Sequence, residues 1–514
     1  MTGLTLTDAV FFLLFFGIVV GVSVYKSRRE TTGEAYFLAG RGLTWPLIGL
    51  SMIAANISTE QFVGMAGQGA GIAGLAVASY EWLSAVGLVV VAVVFLPRFL
   101  RAGIYTIPEY LEYRYDSTTR LLMALYSMLV YVGVTIAAVI YTGALNINAI
   151  FDVKIESAVW VIGGVSALYT VAGGLKAVAW ADLFQGSAII AGGLVTMVVG
   201  FDAVGGVRSF FAANAGRLHL ILPSNHAVLP WTTLVFGLWI PVFYYWGLNQ
   251  FIIQRTLAAR NLSEGQRGVM FAALLKLLIP FIIILPGIMA LQLYPAQLTG
   301  AGRTTDAAYP LLVRNLMSPA LRGFIFAAIF GAVISTVGSM LNSAATIFSL
   351  DLYKRYLNPR VREERLPWIG RAATAVFVVA GCLIAPRLSS PGFKGIFNYM
   401  QEFQGFLSPG VLAAFLFGLV VPRAPAASGV AALVASPVVY LLLYVFAGGV
   451  PFLNRMAITF AVVVALMAAV TLARPLPAAR AMPVRGNAEA TAVSVKILGA
   501  VIVAVTTALY WLFW

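Results

Sequence analysis

The sequence has few of the side chains on which soluble enzymes rely. Only 10% of its 514 residues are charged, and it contains one cysteine and two histidines. Because Cys382 is alone, a disulfide within the chain and a cysteine-based metal site are both excluded. His219 and His226 share one hydrophilic loop, which indicates a solvated surface. We therefore expect neither a metal cluster nor a nucleophile–base pair, and no enzyme active site.

Apolar residues, in contrast, are abundant. They make up 61% of the sequence, and runs of roughly 20 of them, enough to span a bilayer, recur along the whole chain. These runs predict an all-α integral membrane protein with about 14 transmembrane helices. The predicted spans lie approximately at 8–25, 45–66, 74–97, 120–149, 157–174, 181–201, 231–253, 269–293, 319–350, 368–386, 396–420, 427–447, 455–473 and 493–513.

The net charge of +14 raises the question of a nucleic-acid partner, but the basic residues form no stripe. Of the 33 Lys and Arg, 23 fall in the gaps on one side of the predicted spans, 8 on the other, and 2 within spans. An excess of Lys and Arg marks the cytoplasmic side. We therefore expect a multi-pass protein of the plasma (inner) membrane, in contact with the lipid bilayer and not with nucleic acid, with both termini extracytoplasmic. The first apolar run precedes its basic cluster, so it is expected to be retained as a helix and not cleaved as a signal.

Two predicted spans are interrupted by residues that disfavour a helix in lipid. The second contains AANISTEQFVGMAGQGAG (54–71), and the seventh, LVFGLWIPVFYYWGLNQFIIQR (234–255), is broken by Pro241 and Gly247. Interrupted segments at corresponding positions of two halves are typical of inverted-repeat transporters, whose binding site lies between them. The alternative is a pair of helices merely kinked by Pro or Gly. The matched spacing of five spans favours the repeat.

Two ionisable residues lie inside apolar runs. A charged Lys276 in VMFAALLKLLIPFIIILP needs a polar cavity or a carboxylate partner, and Glu81 in VASYEWLSAVG is the natural candidate. Together with Tyr80 and the aromatic residues of the broken spans, this pair suits a polyhydroxylated neutral solute. Hydroxyl groups need both donors and acceptors, while the C–H face of a sugar ring packs on an aromatic ring. The alternative is a purely structural ion pair between two helices.

Hydroxyl residues accumulate in the ninth span, FAAIFGAVISTVGSMLNSAATIFSL. Close helix packing, with Ser and Thr bonded to the backbone, would explain them. The alternative is that Ser335 and Thr336 bind a cation together with carbonyl groups freed by the break in the second span. Hydroxyl and carbonyl oxygens are not bases near neutral pH, so an ion held there is sodium and not a proton.

Eight stretches between about residues 30 and 415 carry a family resemblance, in order and at family spacing. They are YFLAGRGLTWPLIGLSMIAANISTEQFVGMAG, YEWLSA, IYTIPEYLEYRY, GGLKAVAWADLFQG, YYWGLNQFIIQRTLA, LLKLLIPFIIILPGI, STVGSMLNSAATIFSLDLY and MQEFQGFLSPGVLA. The chain resembles the sodium:solute symporter family, in its sodium–glucose cotransporter branch. The resemblance implies a five-plus-five inverted-repeat core of the leucine-transporter type with flanking helices. The implied units are 1–44 (first helix and cytoplasmic loop), 45–202 (first repeat), 203–447 (second repeat and the helix after it) and 448–514 (C-terminal flanking helices).

The resemblance also implies roles for individual residues. Carried over position by position, the sodium ligands fall on the carbonyls of Ala54, Ile57 and Ala332 and the hydroxyls of Ser335 and Thr336. The sugar-contacting positions fall on Gln61, Glu81, Ser84, Lys276 and Gln401. The aromatic inner gate falls on Tyr245, hydrogen-bonded to Asn56, with Trp246 beside it.

The chain departs from the family pattern in places. Val242 stands where certain galactose-binding relatives have an asparagine. Members that use a second sodium place a hydroxyl at the position of Gly338, so Asp182 and Ser339 are left as a possible second ion site or release path, and one sodium is favoured. The resulting hypothesis is sodium-coupled import of a neutral, galactose- or glucose-like sugar by alternating access. The alternative cargoes are an inositol-like polyol, sialic acid or another organic solute. Acids are disfavoured because the middles of the site-forming spans have no arginine.

Overall fold

The structure is a computed structural model that describes residues 6–27, 32–151, 153–299, 305–389, 396–485 and 490–514, and within this part of the chain it contains helices but no β-strand. The helices that build the spans are α1 (Leu6–Lys26), α2 (Trp45–Asn56), α3 (Glu60–Met65 continued by Ala66–Ala70), α4 (Gly74–Ala102), α5 (Ser117–Asn148), α6 (Ile155–Ala203), α7 (Thr233–Gly247), α8 (Gln250–Leu257), α9 (Leu262–Leu293), α10 (Pro319–Leu357), α11 (Glu363–Leu388), α12 (Ile396–Val420), α13 (Ala426–Phe446), α14 (Phe452–Ala473) and α15 (Val493–Leu512). Shorter helices lie in the connections at Gly33–Leu38, Ile107–Arg114, Val207–Ala213, Pro295–Leu298 and Ala308–Leu316.

These helices account for the predicted spans. Ten of them, in the described part of the chain, are long and apolar enough to cross a membrane, and three shorter ones are apolar as well. The 49-residue α6 is interrupted at Gly174, where φ is 54° and ψ is −146°. At 1.5 Å per residue its length is more than twice the hydrocarbon thickness of a bilayer, so it supplies two crossings. The all-α membrane fold with about 14 spans is thereby confirmed.

Both predicted interruptions are present, but Pro241 does not break the seventh span as expected. It lies inside α7, within the segment Trp239–Gly247, and the break follows Gly247. After α2 the chain is extended at Ile57 (φ −79°, ψ 105°), and α3 follows. After α7 the chain is extended at Asn249 (φ −81°, ψ 117°), and α8 follows. The two breaks lie five spans apart and have nearly the same backbone dihedral angles, as an inverted repeat requires.

The helices differ sharply in how much of them is buried. In α10, 89% of the most apolar segment is buried within the protein, against 28% in α13, 28% in α14 and 22% in α15. Helix α10 therefore lies at the centre of the bundle. The last three helices lie at its periphery, where their apolar side chains are left to face lipid.

Close contact between α3 and α9 places the break in the second span beside Lys276. A Cβ atom added at Gly287 of α9 would lie 2.2 Å from the carbonyl oxygen of Ala66 in α3. Only glycine permits this approach of the two backbones. Lys276 lies three turns before this contact on α9, at the level of the break.

Candidate solute and sodium sites

The break in the second span is closed by a side chain from the predicted sugar site. The Ser58 N–H donates to Oε1 of Gln61 over 2.9 Å. The backbone N–H groups of Gln61 and Phe62 both donate to the Ser58 carbonyl, over 3.1 and 3.3 Å. The Ser58 carbonyl therefore accepts the first backbone hydrogen bonds leading into α3, and the N–H of Gln61 donates to it and not to the Ile57 carbonyl. Gln61 thus joins the backbone of the break to the cavity described next.

A cavity lies between α2, α3, α4, α7, α9 and α12, and we call it the solute cavity. It is lined by Asn56, Gln61, Met65, Tyr80, Glu81, Ser84, Leu238, Pro241, Val242, Tyr245, Trp246, Lys276, Gln401 and Gln404. This lining contains every residue that the sequence predicts for the solute and for the gate. The structure brings together residues that are more than 300 positions apart in the chain. Their roles stay predictions.

A buried ion pair lies at the wall of the solute cavity. Lys276 is 1% exposed, and its ammonium group donates to Glu81 and to Oδ1 of Asn56. The ammonium nitrogen also lies 4.7 Å from the centroid of the Trp246 ring. Carboxylate, amide and aromatic face together offset the cost of burying the charge, because each favours the cationic form of Lys276.

The predicted gate lies between the solute cavity and a second cavity. Nδ2 of Asn56 donates to the Tyr245 hydroxyl over 3.1 Å. A second cavity, the inner cavity, shares Asn56, Tyr245 and Gln404 with the solute cavity. Its remaining lining is Ser58, Val130, Tyr131, Thr135, Tyr244, Asn249, Phe251, Thr336, Met340, Met400 and Leu407. The phenol ring of Tyr245 therefore lies in the partition between the two cavities.

The amides of α12 add polar groups that face the solute cavity. Oε1 of Gln401 is buried and has no hydrogen-bond partner among the described residues. An orphaned buried acceptor is costly, so it marks a position for a donor such as a solute hydroxyl. Gln404 lies one turn further along the same face, and sequence analysis did not identify it. The i, i+3 spacing of the two glutamines was the available signal.

One aromatic residue beside the predicted site faces away from it. The Trp82 indole N–H donates to the Leu277 carbonyl over 3.1 Å, and its ring stacks on Phe513 at 6.0 Å. Trp82 thus packs α4 against α9 and α15 and is absent from the cavity lining. The aromatic face available to a solute belongs to Trp246 and the two lining tyrosines.

The predicted sodium ligands lie on α10 and at the end of α2, and these two segments meet at Thr336. Ala54, Ile57, Ala332 and Ser335 are fully buried, and Thr336 is 2% exposed. The Thr336 hydroxyl lies 2.9 Å from the Ala332 carbonyl oxygen and 3.1 Å from that of Ala55. No group of three or more His, Cys, Asp or Glu side chains in the described chain is placed to hold a metal ion. The predicted ligands themselves are neutral carbonyl and hydroxyl oxygens, a donor type that suits a monovalent hard cation.

Asp182 and Ser339 are joined by a residue that sequence analysis did not select. Arg255 is fully buried, and its guanidinium group lies 3.2 Å from Asp182 and also contacts Ser339. Ser335 and Ser51 both donate to the Asp182 carboxylate. One predicted sodium ligand, Ser335, is therefore directly connected to the predicted second ion site or release path.

Known proteins resemble this chain over nearly its full length. A sodium/glucose cotransporter of Vibrio parahaemolyticus is 37% identical over 541 aligned positions, which cover 100% of this chain and 99% of that protein. A pig sodium/myo-inositol cotransporter 2 is 34% identical over 80% of this chain and 66% of its own length. A substrate-bound, outward-open Na⁺-coupled sialic acid symporter has the same fold, with a TM-score of 0.83 over 92% of this chain and 99% of that one, at 23% identity.

The family model gives the same result. The model of the sodium:solute symporter family matches residues 36–436. This range includes both interrupted spans and every predicted site residue. The matched region and the full-length similarity confirm the resemblance derived from the sequence motifs. The chain therefore belongs to the sodium:solute symporter family: it is a membrane-embedded transporter and not an enzyme, and sodium is the ion that it co-transports with a solute.

Proposed function

We propose that this protein imports a neutral sugar of the galactose or glucose type, with one sodium ion per sugar. The observation that carries the proposal is the lining of the solute cavity. Carboxylate, ammonium and amide groups from Glu81, Lys276, Gln61 and Gln401 converge there beside the Trp246 and Tyr245 rings. A sugar offers hydroxyl groups that both donate and accept, and a C–H face that packs on an aromatic ring.

The charge of the cavity supports a neutral solute. Among the described residues that line it, Lys276 is the one cation and Glu81 the one anion, and the two already form an ion pair. An anionic solute would have to compete with Glu81 for Lys276 and would leave that carboxylate buried and unpaired, which is strongly unfavourable. The name of the Vibrio relative, a sodium/glucose cotransporter, favours the same cargo.

Coupling follows from the position of the break between the two sites. In this proposal a sodium ion is bound by the Ala54 and Ile57 carbonyls and the Thr336 hydroxyl. The ion orders the break at residues 57–58, where the Gln61 side chain accepts a hydrogen bond from the Ser58 N–H. Sodium therefore stabilises the arrangement of Gln61 that binds the sugar, which shifts the population toward the binding-competent state. One sodium ion moving down 100 mV releases about 2.3 kcal/mol. A tenfold gradient adds about 1.4 kcal/mol, and the total is enough to hold a several-hundred-fold excess of neutral solute.

Release proceeds past Tyr245 into the inner cavity. The charge bias assigns one end of the α7–α8 segment, of α10 and of α12 to the cytoplasm. The inner-cavity residues Asn249 and Leu407 lie closer to those ends than the solute-cavity residues of the same segments do, and Met340 lies in the cytoplasmic half of α10. Both termini are extracytoplasmic in this topology, and 45–202 and 203–447 are the two repeat-containing units that rock around the site. Inward motion of Tyr245 opens the partition only after the hydrogen bond between Asn56 and the Tyr245 hydroxyl has broken.

A second candidate cargo is an inositol-like polyol. The apolar Val242 lines the cavity at a position where a polar residue would favour a particular sugar. A cyclic polyol presents the same pattern of hydroxyl groups, and one relative is named as a myo-inositol cotransporter. Sialic acid and other charged organic solutes are disfavoured by the paired state of Lys276.

Uptake into proteoliposomes tests the proposal. A panel of radiolabelled glucose, galactose, myo-inositol and sialic acid is offered with an inward sodium gradient, with equal sodium on both sides, and with a proton gradient in sodium-free buffer. We expect concentrative uptake of a neutral hexose in the first condition alone. Preferential uptake of myo-inositol would identify the cargo as a polyol and not a sugar. Preferential uptake of sialic acid would overturn the assignment of a neutral solute.

A further inference from the structure

The outer half of α12, which carries Gln401 and Gln404, is joined to the rest of the helix at a proline. Pro409 has no backbone N–H, so the Gly405 carbonyl loses its helical donor. The next N–H, that of Gly410, donates to the Ser436 hydroxyl over 3.0 Å, and this hydroxyl donates to the Phe406 carbonyl over 3.0 Å. Pro409 thus removes one helical hydrogen bond, and the Ser436 side chain of α13 bonds to α12 beside that position.

A cluster of charged and aromatic residues holds this outer half from outside. Glu402 forms an ion pair with Arg455 of α14 and accepts a hydrogen bond from the Tyr440 hydroxyl of α13 over 2.7 Å. The Arg455 guanidinium group lies 5.5 Å from the Tyr440 ring centroid and 5.3 Å from that of Tyr444. We call Glu402, Arg455, Tyr440 and Tyr444 the α12 clamp. Arg455 is 4% exposed, so its charge depends on Glu402 for compensation.

Helix α13 packs closely on α12 at this level through the ring of Tyr440. A Cβ atom added at Gly405 would lie 2.3 Å from Cζ of the Tyr440 ring. The ring therefore lies directly on the α12 backbone, one turn from Glu402. Clamp and contact act on the segment just before the interruption at Pro409, where the helix offers least resistance to bending.

We propose that Glu402 is a positioning residue for the solute. Consecutive residues of a helix point about 100° apart, so anchoring Glu402 toward α13 and α14 directs Gln401 toward the solute cavity. The α12 clamp fixes this rotation and keeps the orphaned Gln401 acceptor and Gln404 at the cavity wall. None of the described residues of α13 or α14 lines the cavity, so these peripheral helices act on solute binding without touching the solute. The inference rests on the proposed function, because it assumes that Gln401 contacts the cargo.

Transport kinetics test the α12 clamp through four variants. Glu402→Gln and Arg455→Gln each break the ion pair, and the double variant Glu402→Arg/Arg455→Glu restores it in reverse. Glu363→Gln is the matched control, because it breaks an ion pair with Lys354 on the surface. We expect the two single variants to raise the KM for solute about tenfold, the cost of one well-placed hydrogen bond. The maximal rate and the sodium dependence at saturating solute stay within about twofold, since the protein still folds and cycles.

The double variant and the control show which results would contradict the proposal. The double variant recovers most of the lost affinity if the ion pair itself matters, and Glu363→Gln leaves KM unchanged. A clamp that served only folding would lower the maximal rate and the amount of protein while leaving KM unchanged. That result, or single variants with the KM of the parent protein, would overturn the proposal.

A second measurement does not depend on the identity of the cargo. Gln401→Cys is made in a Cys382→Ala background, and its labelling by a small thiol reagent is followed in sodium buffer. Adding Glu402→Gln is expected to raise the labelling rate several-fold, because the released outer half of α12 leaves the cavity wall. If no neutral solute is taken up but labelling responds, the proposed function fails and the clamp stands. If sodium-driven uptake is found but Glu402→Gln changes neither the KM for solute nor the labelling rate, the α12 clamp proposal is wrong and the proposed function is retained.

Discussion

The amide nitrogen of Asn56 donates a hydrogen bond to the Tyr245 hydroxyl over 3.1 Å. Oδ1 of the same amide accepts from the ammonium group of Lys276, which in turn pairs with Glu81. A single side chain, placed one residue before the break in the second span, thus connects the partition between the cavities to the ion pair of the solute cavity. A solute that forms a hydrogen bond with Lys276 would therefore also affect Asn56, the hydrogen-bond partner of the predicted gate residue Tyr245.

Removing the Tyr245 hydroxyl tests the predicted gate. Tyr245→Phe keeps the ring, which packs edge-to-face on Trp246 at 5.2 Å and on Phe251 at 5.5 Å, but loses the bond to Asn56. A lost hydrogen bond of about 1 kcal/mol raises the population of the open gate roughly fivefold. We expect solute efflux from preloaded proteoliposomes without sodium to rise by a similar factor. Tyr126→Phe, which borders neither cavity, is the control, and equal efflux from both variants would contradict a gating role.

The Glu81–Lys276 pair offers a test between a binding role and a purely structural one. Lys276→Met leaves the Glu81 carboxylate buried without its cation, which costs on the order of 3–5 kcal/mol of stability. The double variant Lys276→Met/Glu81→Gln removes both charges and recovers most of that stability. We expect the double variant to unfold near the temperature of the parent protein in a thermal scan.

Uptake separates the two interpretations of that double variant. If the pair binds solute, sodium-driven uptake stays below a few percent of the parent rate although the fold is restored, because donor and acceptor are both gone. If the pair only ties α4 to α9, uptake returns together with stability. Recovery of transport in the double variant would therefore remove both residues from the solute site.

The sequence predicts the site best where polar residues stand out against apolar runs. Lys276, Glu81, Ser335 and Thr336 are conspicuous for that reason, and the structure buries all four. Arg255 follows the predicted span 231–253, where a basic residue looks the same in sequence whether it is solvated or buried. Its full burial against Asp182 depends on contacts across 73 positions of the chain, which no local pattern reveals.

Other features depend on side-chain geometry that sequence periodicity does not encode. The break after α2 is predicted by Asn56 and the small residues that follow it, but its closure by Gln61 requires a particular side-chain rotamer. The Ser436 hydroxyl that bonds to α12 comes from a different helix. Spans, breaks and the composition of the cavity are therefore readable from the sequence, while the hydrogen-bond connections between them are not.

The sodium site is tested by a substitution that keeps its shape. Thr336→Val removes the hydroxyl that lies 2.9 Å from the Ala332 carbonyl oxygen and replaces it by a methyl group of similar size. Loss of one of about five oxygen ligands is expected to raise the sodium concentration for half-maximal uptake at least tenfold. Thr506→Val, at a buried threonine of the peripheral α15, is the matched control. Unchanged sodium dependence in Thr336→Val would exclude its hydroxyl from the site.

The neighbourhood of Gly338 favours the proposed ratio of one sodium ion per solute. A Cβ atom added at Gly338 would lie 2.5 Å from the Tyr169 hydroxyl and 2.9 Å from that of Thr170, so there is no room for a further hydroxyl ligand on α10. The nearby Asp182 is already paired with Arg255. We expect one charge moved per solute and a Hill coefficient near one for sodium, because a single binding event cannot produce sigmoidal dependence. Reversal potentials of solute-driven current, measured at several solute gradients in proteoliposomes, give the ratio directly. A ratio of two charges per solute would place a second sodium ion in the cycle and contradict the assignment.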